Sequence, residues 1–196
     1  LSPKSWPTSL NLYDLKLLDK NNWSDKFDKI WKPGNKEAKL KLDLFIKNRI
    51  SNYDNNRNIP GLEGTSKLSP HLRFGEISPK EIFETIHFNV AKHHLKSIET
   101  FKSEIIWREF AHNLLWLFPK IHNKSIKKKF ENFKWNYNKK NFDLWTKGLT
   151  GYPIVDAGMR ELWSTGWMHN RVRMIAASFL TKHLLLPWQL GETWFW

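Results

Sequence analysis

Residues 103 to 112, SEIIWREFAH, carry a carboxyl group, an indole and a guanidinium at spacings of three and four. Side chains at these spacings share one face of a helix. The residues on this face are Glu104, Trp107, Arg108 and Ala111. A carboxyl group beside an apolar ring keeps its proton more readily than in water, because burial disfavours the charged form. Glu104 is therefore a candidate hydrogen-bond donor, and Arg108 a candidate phosphate ligand or a surface ion-pair partner of Glu104.

A second unusual group lies in residues 164 to 174, STGWMHNRVRM. At 100° per residue, a helix here would direct one stripe into the core, formed by Val172, Ile175, Ala176 and Phe179. The opposite side then carries Trp167, Asn170 and Met174, with Arg171 at its edge. Ordinary solvent-facing positions need neither a ring nor a thioether, so this side of the helix is predicted to bind a ligand.

Residues 64 to 69, GTSKLS, predict a tight turn with three hydroxyl groups that runs into the start of a helix. Free N–H groups and the positive end of the helix dipole favour phosphate at such a place. A simple helix cap would need the same residue types, and that alternative stays open. Tyr53 and Arg57 lie four residues apart just before this turn.

The composition restricts the partners and the chemistry. Lys and Arg total 32 against 19 Asp and Glu, a net charge of +13, which favours nucleic acid over an acidic membrane surface. Nucleotide bias in a genome could also produce a Lys-rich chain. The chain has no cysteine, no ligand-like spacing of histidines and no long apolar run, so we expect no disulfide, no metal and no membrane span. The protein is expected to be cytoplasmic. Its 12 tryptophans are an excess that a core alone does not require.

The elements that must position these groups are predicted to be helices, because no sustained alternation of apolar and polar residues occurs. Ser69-Pro70 and Ser78-Pro79 mark two helix starts, the second completed as a capping box by Glu81. In the first predicted helix, Leu40, Leu44 and Ile50 lie near one stripe. A lysine-rich connection with interleaved aromatic rings spans 120–140. The helices are expected at about 37–53, 79–94, 97–118, 153–165 and 168–186, after a connector over 1–33.

The motifs together resemble a known family. GTSKLSPHLRFGEIS, EIIWREF and WTKGLTGYPIVDAGMRELWSTGWMHNRVRMIAASFL occur in the order and spacing of the helical FAD-binding domain of photolyases and cryptochromes. The resemblance runs from about Trp31 to the last residue, and is strongest to class I cyclobutane pyrimidine dimer (CPD) photolyases. It implies an all-α, multi-helix fold that binds FAD. It also implies light-driven repair of UV-damaged DNA by a monomer, through electron transfer from reduced FAD to the dimer and back.

The resemblance assigns roles residue by residue. Glu104, Trp107, Asn170 and Met174 match positions that face the dimer, where Asn170 and Met174 favour CPD repair over (6-4) repair. The matched FAD-binding positions are Tyr53, Thr65, Ser66, Lys67, Leu68, Ser69, Phe101 and Arg108. The matched DNA-binding positions are Arg57, Glu104, Trp107, Arg108, Ala111, Asn170, Arg171 and Val172. Trp135 and Trp188 match the surface and middle members of a three-tryptophan electron-transfer chain, although either could also be a packing residue.

The sequence also departs from the family pattern. The matched motifs do not include the α/β antenna domain that normally precedes this region in the family, so we expect residues 1–33 to be the connector that follows such a domain. The flavin-cradling Asp-x-Asp…Asn loop and the third tryptophan match nothing before Trp196. The expectation is therefore a partial helical domain over 34–196, incomplete at its C-terminus, whose activity on its own is doubtful. Two other functions stay open: a cryptochrome-type photoreceptor and a helical nucleic-acid-binding module without a cofactor.

Overall fold

A computed structural model of the chain describes residues 9–17, 23–90 and 94–196. Within them all regular elements are helices, and the predicted all-α class is confirmed. The α-helices are α1 (Asn35–Asn48), α2 (Tyr53–Asn56), α3 (Ser69–Arg73), α4 (Pro79–Asn89), α5 (Leu95–Leu117), α6 (Lys139–Thr146), α7 (Pro153–Thr165), α8 (Asn170–Ser178) and α9 (Trp188–Phe195). Short 3₁₀ helices occur at Leu12–Leu15, Asp25–Lys29, Ile50–Asn52 and Lys128–Phe130, and Phe179–His183 forms a π-helix.

One hydrophobic core joins α1, α2, α4 and the first half of α5. The predicted stripe of α1 was wrong in part, since Leu40 and Leu44 are 49% and 46% exposed while Ile50 is buried. The helix instead buries Ala38, Leu42 and Phe45, which have the same helical spacing. The ring of Phe45 lies 4.6 Å from that of Phe101 on α5 and 5.5 Å from that of Tyr53, so this face of α1 packs on aromatic rings of the core.

A second core joins α6, α7, α8 and the π-helix around Trp145. The indole N–H of Trp145 donates to the carbonyl oxygen of Ala176 at 3.0 Å, so the buried ring has a polar partner. Of the predicted α8 stripe, Val172, Ala176 and Phe179 are buried, but Ile175 is 39% exposed. Helix α7 approaches α8 closely where Gly158 faces Val172.

The helix starts follow the sequence signals unequally. The Oγ atom of Ser78 accepts the backbone N–H of Glu81 at 3.0 Å, as a capping residue should. The Glu81 side chain pairs with Lys39 at 3.0 Å, outside the predicted capping box. The predicted cap at Ser69 was wrong: Leu68 is the N-cap of α3, and Ser69 is the first helical residue. Proline then occupies the second helical position, where its missing N–H costs nothing.

Helix lengths also differ from the predictions. The predicted helix at 168–186 begins at Asn170 and widens into the π-helix, in which the N–H of Leu184 donates to the carbonyl oxygen of Phe179 at 3.0 Å. Helix α4 ends at Asn89, and the predicted continuation into 91–93 lies outside the described residues. Helices α6 and α9, of eight residues each, were not predicted.

The described part of the predicted connector packs against α7. The indole N–H of Trp31 donates to the carbonyl oxygen of Thr165 at 2.7 Å, and Trp23 stacks on Trp163 with ring centroids 6.1 Å apart. Phe27 lies directly against Gly166. Residues 1–8 and 18–22 of that connector lie outside the described residues.

Candidate functional site

The centre of the candidate site is an ion pair between α5 and the residue that follows α2. The guanidinium of Arg57 lies 2.7 Å from the carboxylate of Glu104, and their side chains are 18% and 32% exposed. The same guanidinium lies 5.7 Å from the centre of the Tyr53 ring. Two residues predicted to contact DNA, 47 positions apart in sequence, are thus in direct contact.

Arg108 is engaged elsewhere. Its guanidinium donates to the carbonyl oxygen of Leu72 at 3.3 Å, and it pairs with Glu109. The local pair of Glu104 with Arg108, one of the two possibilities left open by the sequence, is therefore not the one formed. Arg108 instead connects α5 to α3, the short helix that follows the hydroxyl turn.

A second contact brings α8 to the same place. Arg171 donates from Nε and Nη2 to the side-chain oxygen of Asn58, at 2.9 and 2.6 Å. Its Nη1 atom lies 3.8 Å from the sulfur of Met174. Because Asn58 follows Arg57 directly, these contacts bring the three predicted DNA-facing segments together: the end of α2, the middle of α5 and the start of α8.

His169 fixes the start of α8 and was missed in the sequence. It is 2% exposed, and its Nδ1 accepts the backbone N–H of Arg171 at 3.2 Å, so the ring acts as the N-cap. Burial, the largest influence, lowers the pKa of His169; the backbone of Arg57 acts in the opposite direction, and the charges of Arg171 and Arg57 lower it further. The ring is therefore neutral at pH 7. Histidine is not a usual N-cap residue, so capping patterns gave no signal for it.

The remaining predicted DNA-facing side chains of α5 and α8 are mostly open to solvent. Trp107 is 63% exposed and touches Phe110 edge-on, and Met174 is 55% exposed. Ala111 and Asn170 are also exposed, whereas Val172 is buried in the second core and supports α8 from beneath. The exposed rings, amide and thioether offer a surface that could receive an apolar ligand with polar edges.

The hydroxyl turn lies beside two cations. Arg49, at the end of α1, donates to the carbonyl oxygen of Thr65 at 3.2 Å. Lys67 has a positive φ of 53° and pairs with Glu63 at 2.8 Å. Within the described residues, the hydroxyl groups of Thr65 and Ser69 have no hydrogen-bond partner, while the Oγ atom of Ser66 accepts the N–H of Leu68 at 3.4 Å. Free hydroxyls beside Arg and Lys are a donor set that suits phosphate oxygens.

A groove of about 300 Å³ opens next to this turn. Its wall includes Ser66, Lys67 and Trp167, and the ammonium of Lys67 lies 4.9 Å from the Trp167 ring. Arg49, which no sequence pattern indicated, also lines it. Trp167 therefore belongs to this groove rather than to the exposed face of α8, which begins three residues later.

Tyr53, Leu68 and Phe101, all predicted to bind the cofactor, are core residues with exposures of 6%, 1% and 4%. The Tyr53 and Phe101 rings meet edge-on with centroids 5.2 Å apart. Burial raises the pKa of Tyr53 to about 12, against the lowering effect of Arg57, so its hydroxyl is neutral. These side chains form the part of the core that supports the Arg57 segment and the hydroxyl turn.

The two tryptophans predicted for electron transfer lie in neighbouring segments. Both are partly exposed, and Trp135 packs on Phe133 with ring centroids 4.5 Å apart. The backbone N–H of Asn136 donates to the carbonyl oxygen of Leu185 at 2.7 Å. This bond joins the segment around Trp135 to the loop before Trp188. Trp188 lines an apolar cleft of about 390 Å³ with Leu180, Gly191 and Phe195.

Across residues 9–17, 23–90 and 94–196, no three His, Cys, Asp or Glu side chains gather in a way that could hold a metal ion. In the same part of the chain, no helix combines the length and the apolar character that crossing a bilayer requires.

Comparison with known proteins gives a consistent result. Residues 101–196 match the family model described as the FAD binding domain of DNA photolyase. A deoxyribodipyrimidine photo-lyase of Agrobacterium fabrum is 48% identical over 196 residues, covering 99% of this chain and 41% of that protein. Cryptochrome-2 of Arabidopsis thaliana is 40% identical over 174 residues. The match covers 85% of this chain and 28% of the cryptochrome.

A solved structure matches as well. The crystal structure of a bacterial class III photolyase from Agrobacterium tumefaciens is 47% identical, with a TM-score of 0.90 over 99% of this chain and 40% of that one. The chain thus spans about two fifths of the length of these two photolyases.

Proposed function

Because the chain belongs to the DNA photolyase and cryptochrome family, we propose that it forms part of a light-driven enzyme that splits cyclobutane pyrimidine dimers in DNA. The observation that carries the proposal is the gathering of three segments by two contacts, Arg57 with Glu104 and Asn58 with Arg171. They bring together a carboxyl group and two guanidinium groups, and the exposed Trp107 and Met174 lie on the same two helices, α5 and α8, with the sulfur of Met174 3.8 Å from Arg171.

The residues at the hydroxyl turn fit the FAD that this family binds. The free hydroxyls of Thr65 and Ser69, with Arg49 and Lys67 nearby, would hold its phosphates. Tyr53 and Phe101 would support the turn from the core. When bound, reduced FAD supplies a light-excited electron that the dimer accepts and returns, with no net redox change.

The residues of the protein would bind and orient the dimer and exclude water from it. As photolyases do, it would receive a dimer turned out of the base stack, against the apolar surfaces of Trp107 and Met174. Glu104, in its neutral acid form, would donate a hydrogen bond to a pyrimidine carbonyl oxygen on which charge develops. Arg57 and Arg171 would bind the flanking phosphates, and Asn170 a polar edge of the dimer.

The sequence expectation of class I is not part of this proposal. The solved photolyase that shares 47% identity with the chain is described as class III, so we propose dimer repair without a class I assignment. We also propose that the protein is a cytoplasmic monomer. Light scattering on the peak that elutes from a size-exclusion column measures its mass.

A blue-light photoreceptor is the second candidate, because Cryptochrome-2 of Arabidopsis thaliana is 40% identical to the chain. One experiment separates the possibilities. The purified protein is supplied with FAD, its visible spectrum is recorded, and it is mixed with UV-irradiated DNA in light and in darkness. Flavin bands with dimer loss in light alone support repair. Flavin without repair favours the photoreceptor, and DNA binding without flavin favours the cofactor-free module.

The proton of Glu104 has its own test. Glu104→Gln keeps a hydrogen-bond donor but removes the acidic proton. If the repair yield per absorbed photon is unchanged in this variant, an acidic proton at Glu104 is not required. A fall in yield with normal lesion binding supports the proposed role.

A further inference from the structure

Both guanidinium groups proposed to bind DNA are already occupied by side chains of the protein. Arg57 pairs with Glu104 at 2.7 Å, and Arg171 holds the side-chain oxygen of Asn58 at 2.6 and 2.9 Å. A phosphate group competes for the same N–H donors, since a guanidinium binds both kinds of oxygen in the same bidentate manner. DNA therefore cannot engage Arg57 fully while Glu104 keeps it.

The pair with Arg57 also conflicts with the role proposed for Glu104. In an ion pair the carboxyl group is ionised, and an ionised carboxylate only accepts hydrogen bonds. To donate a hydrogen bond to a pyrimidine carbonyl, Glu104 must hold a proton that the ion pair does not supply.

We propose that damaged DNA separates the Arg57–Glu104 pair: a backbone phosphate takes Arg57, and Glu104 takes up one proton from solvent as it turns to the dimer. This inference rests on the proposed function. Undamaged duplex would supply the phosphate but not the extruded base, so it would engage Arg57 without protonating Glu104. Proton uptake then reports lesion recognition, separately from contact with the DNA backbone.

The pair lies where a phosphate can replace the carboxylate. Both side chains reach solvent, at 18% and 32% exposure, so a carboxylate released from the pair can be hydrated and can take up a proton there. A phosphate that carries a full negative charge in the strong field of DNA can therefore displace the carboxylate.

The other charged and titratable groups near the pair do not change their protonation between pH 7 and 8. Tyr53 stays neutral because burial raises its pKa to about 12, and His169 stays neutral because burial lowers its pKa. Arginine stays cationic at this pH. Arg171 is bound to Asn58, and Arg108 is bound to Leu72 and Glu109. Of these described neighbours, Glu104 is left as the source of a proton change.

Calorimetry in the dark tests the inference. A duplex with one cyclobutane dimer is titrated into the protein at pH 7.5, in two buffers of different ionisation enthalpy, and the difference gives the protons taken up. We expect up to one proton for the lesion duplex and none for the same duplex without the dimer. Lesion affinity should fall with rising pH, by up to about tenfold per pH unit, because binding consumes a proton.

Two variants locate the proton. Glu104→Gln should bind the lesion duplex with no proton uptake and no pH dependence. Because it frees Arg57, it should bind undamaged duplex about two- to five-fold more tightly. The matched control is Glu99→Gln, which removes the same charge from the same helix, where Glu99 pairs with Lys102 at 3.2 Å. This control should keep the proton uptake.

The outcomes that overturn the inference are distinct from failure of the proposed function. Tight lesion binding by the unaltered protein without proton uptake overturns it, and so does uptake that persists in Glu104→Gln. A protein that does not prefer the lesion duplex at all overturns the proposed function, and this inference with it.

Discussion

The indole N–H of Trp31 donates to the backbone carbonyl oxygen of Thr165 at 2.7 Å, across 134 positions of sequence. This bond joins the segment before α1 to the last residue of α7, at the edge of the groove that contains Ser66 and Lys67. Trp31→Phe keeps an aromatic ring, although a smaller one, and removes the N–H donor. It should lower the free energy of unfolding by about 1 kcal/mol, since a partly buried acceptor loses its partner.

Urea denaturation measures this change. Trp116→Phe is the control, because Trp116 is 84% exposed and its replacement should cost less than about 0.5 kcal/mol. Equal losses in the two variants would mean that the Trp31–Thr165 bond adds nothing to stability.

Gly158 should not tolerate a side chain. A Cβ atom there would lie 2.2 Å from Cγ1 of Val172, between α7 and α8. Gly158→Ala should destabilise the fold by about 1–3 kcal/mol through overpacking, although alanine is the better helix former. Gly61→Ala, which meets no atom within 4 Å, should be close to neutral. Combining Gly158→Ala with Val172→Ala should cost less than the two single losses together, and strict additivity would exclude the clash.

Asp156 should make stability depend on pH. Its carboxylate accepts the backbone N–H and the hydroxyl of Thr150, at 2.8 and 2.6 Å, and the N–H of Gly151 at 2.9 Å. Burial, the largest single influence, raises the pKa of Asp156, but these hydrogen bonds and Arg160 together hold it below the usual 3.8. The stabilisation is therefore complete above pH 3.8 and is lost as the pH falls through the folded-state value.

Asp156→Asn should cost about 1–3 kcal/mol at pH 7, and its deficit should shrink below pH 3.8. Chemical denaturation at several pH values gives both numbers. The control is Asp143→Asn, which disrupts only a largely exposed pair with Lys139 and should cost less than about 1 kcal/mol. A deficit that does not change with pH would contradict the role given to the carboxylate.

His169 should produce a second pH dependence, at higher pH. Burial lowers its pKa below the usual 6.5, so the unfolded chain binds the proton more readily than the folded one. Its contribution to stability is present above pH 6.5 and is lost as the pH falls through the folded-state value. The free energy of unfolding should therefore fall between pH 7.5 and 5.5, and the fall should be smaller in His169→Asn, which keeps an N-cap acceptor. His122→Asn, at an exposed histidine, should behave like the unaltered protein.

Trp188 is predicted to pass electrons to bound flavin. In FAD-loaded protein, Trp188→Phe should abolish photoreduction under blue light with an external reductant, because phenylalanine is far harder to oxidise than tryptophan. Repair by chemically reduced protein should be unaffected. Absorbance of the flavin follows the first reaction and loss of dimers the second. Trp196→Phe, at a ring that is 89% exposed, is the control, and photoreduction that survives in Trp188→Phe would remove Trp188 from the chain.

Local patterns predicted the parts of the fold that depend on local physics. Helix α7 was predicted at about 153–165, and the structure has the same bounds. The cap at Ser78 was also correct. The buried face of α1 was not, because Leu40 and Ala38 begin two stripes of equal periodicity. The inward face is the one on which Phe45 meets the rings of Tyr53 and Phe101, contacts that the periodicity of α1 does not indicate.

The same limit applies to the candidate site. Sequence spacing offered Arg108 as a partner of Glu104, because residues four apart are the ones a helix brings together. The partner in the structure is Arg57, and no pattern within one helix could indicate it. Asn58, which holds Arg171, was missed for the same reason, since its partner is 113 positions away. The roles assigned to the site residues by family resemblance stay predictions.

The π-helix at Phe179–His183 lets the chain between α8 and α9 accommodate one extra residue. A π turn holds one residue more than an α turn, so it acts as a one-residue insertion in the helix. Deleting one of these five residues would close the π turn to an α turn and leave the chain on either side nearly in place. Trp188 would then keep its position in the cleft, and a relative with an uninterrupted α-helix here would align to this chain with a gap of one.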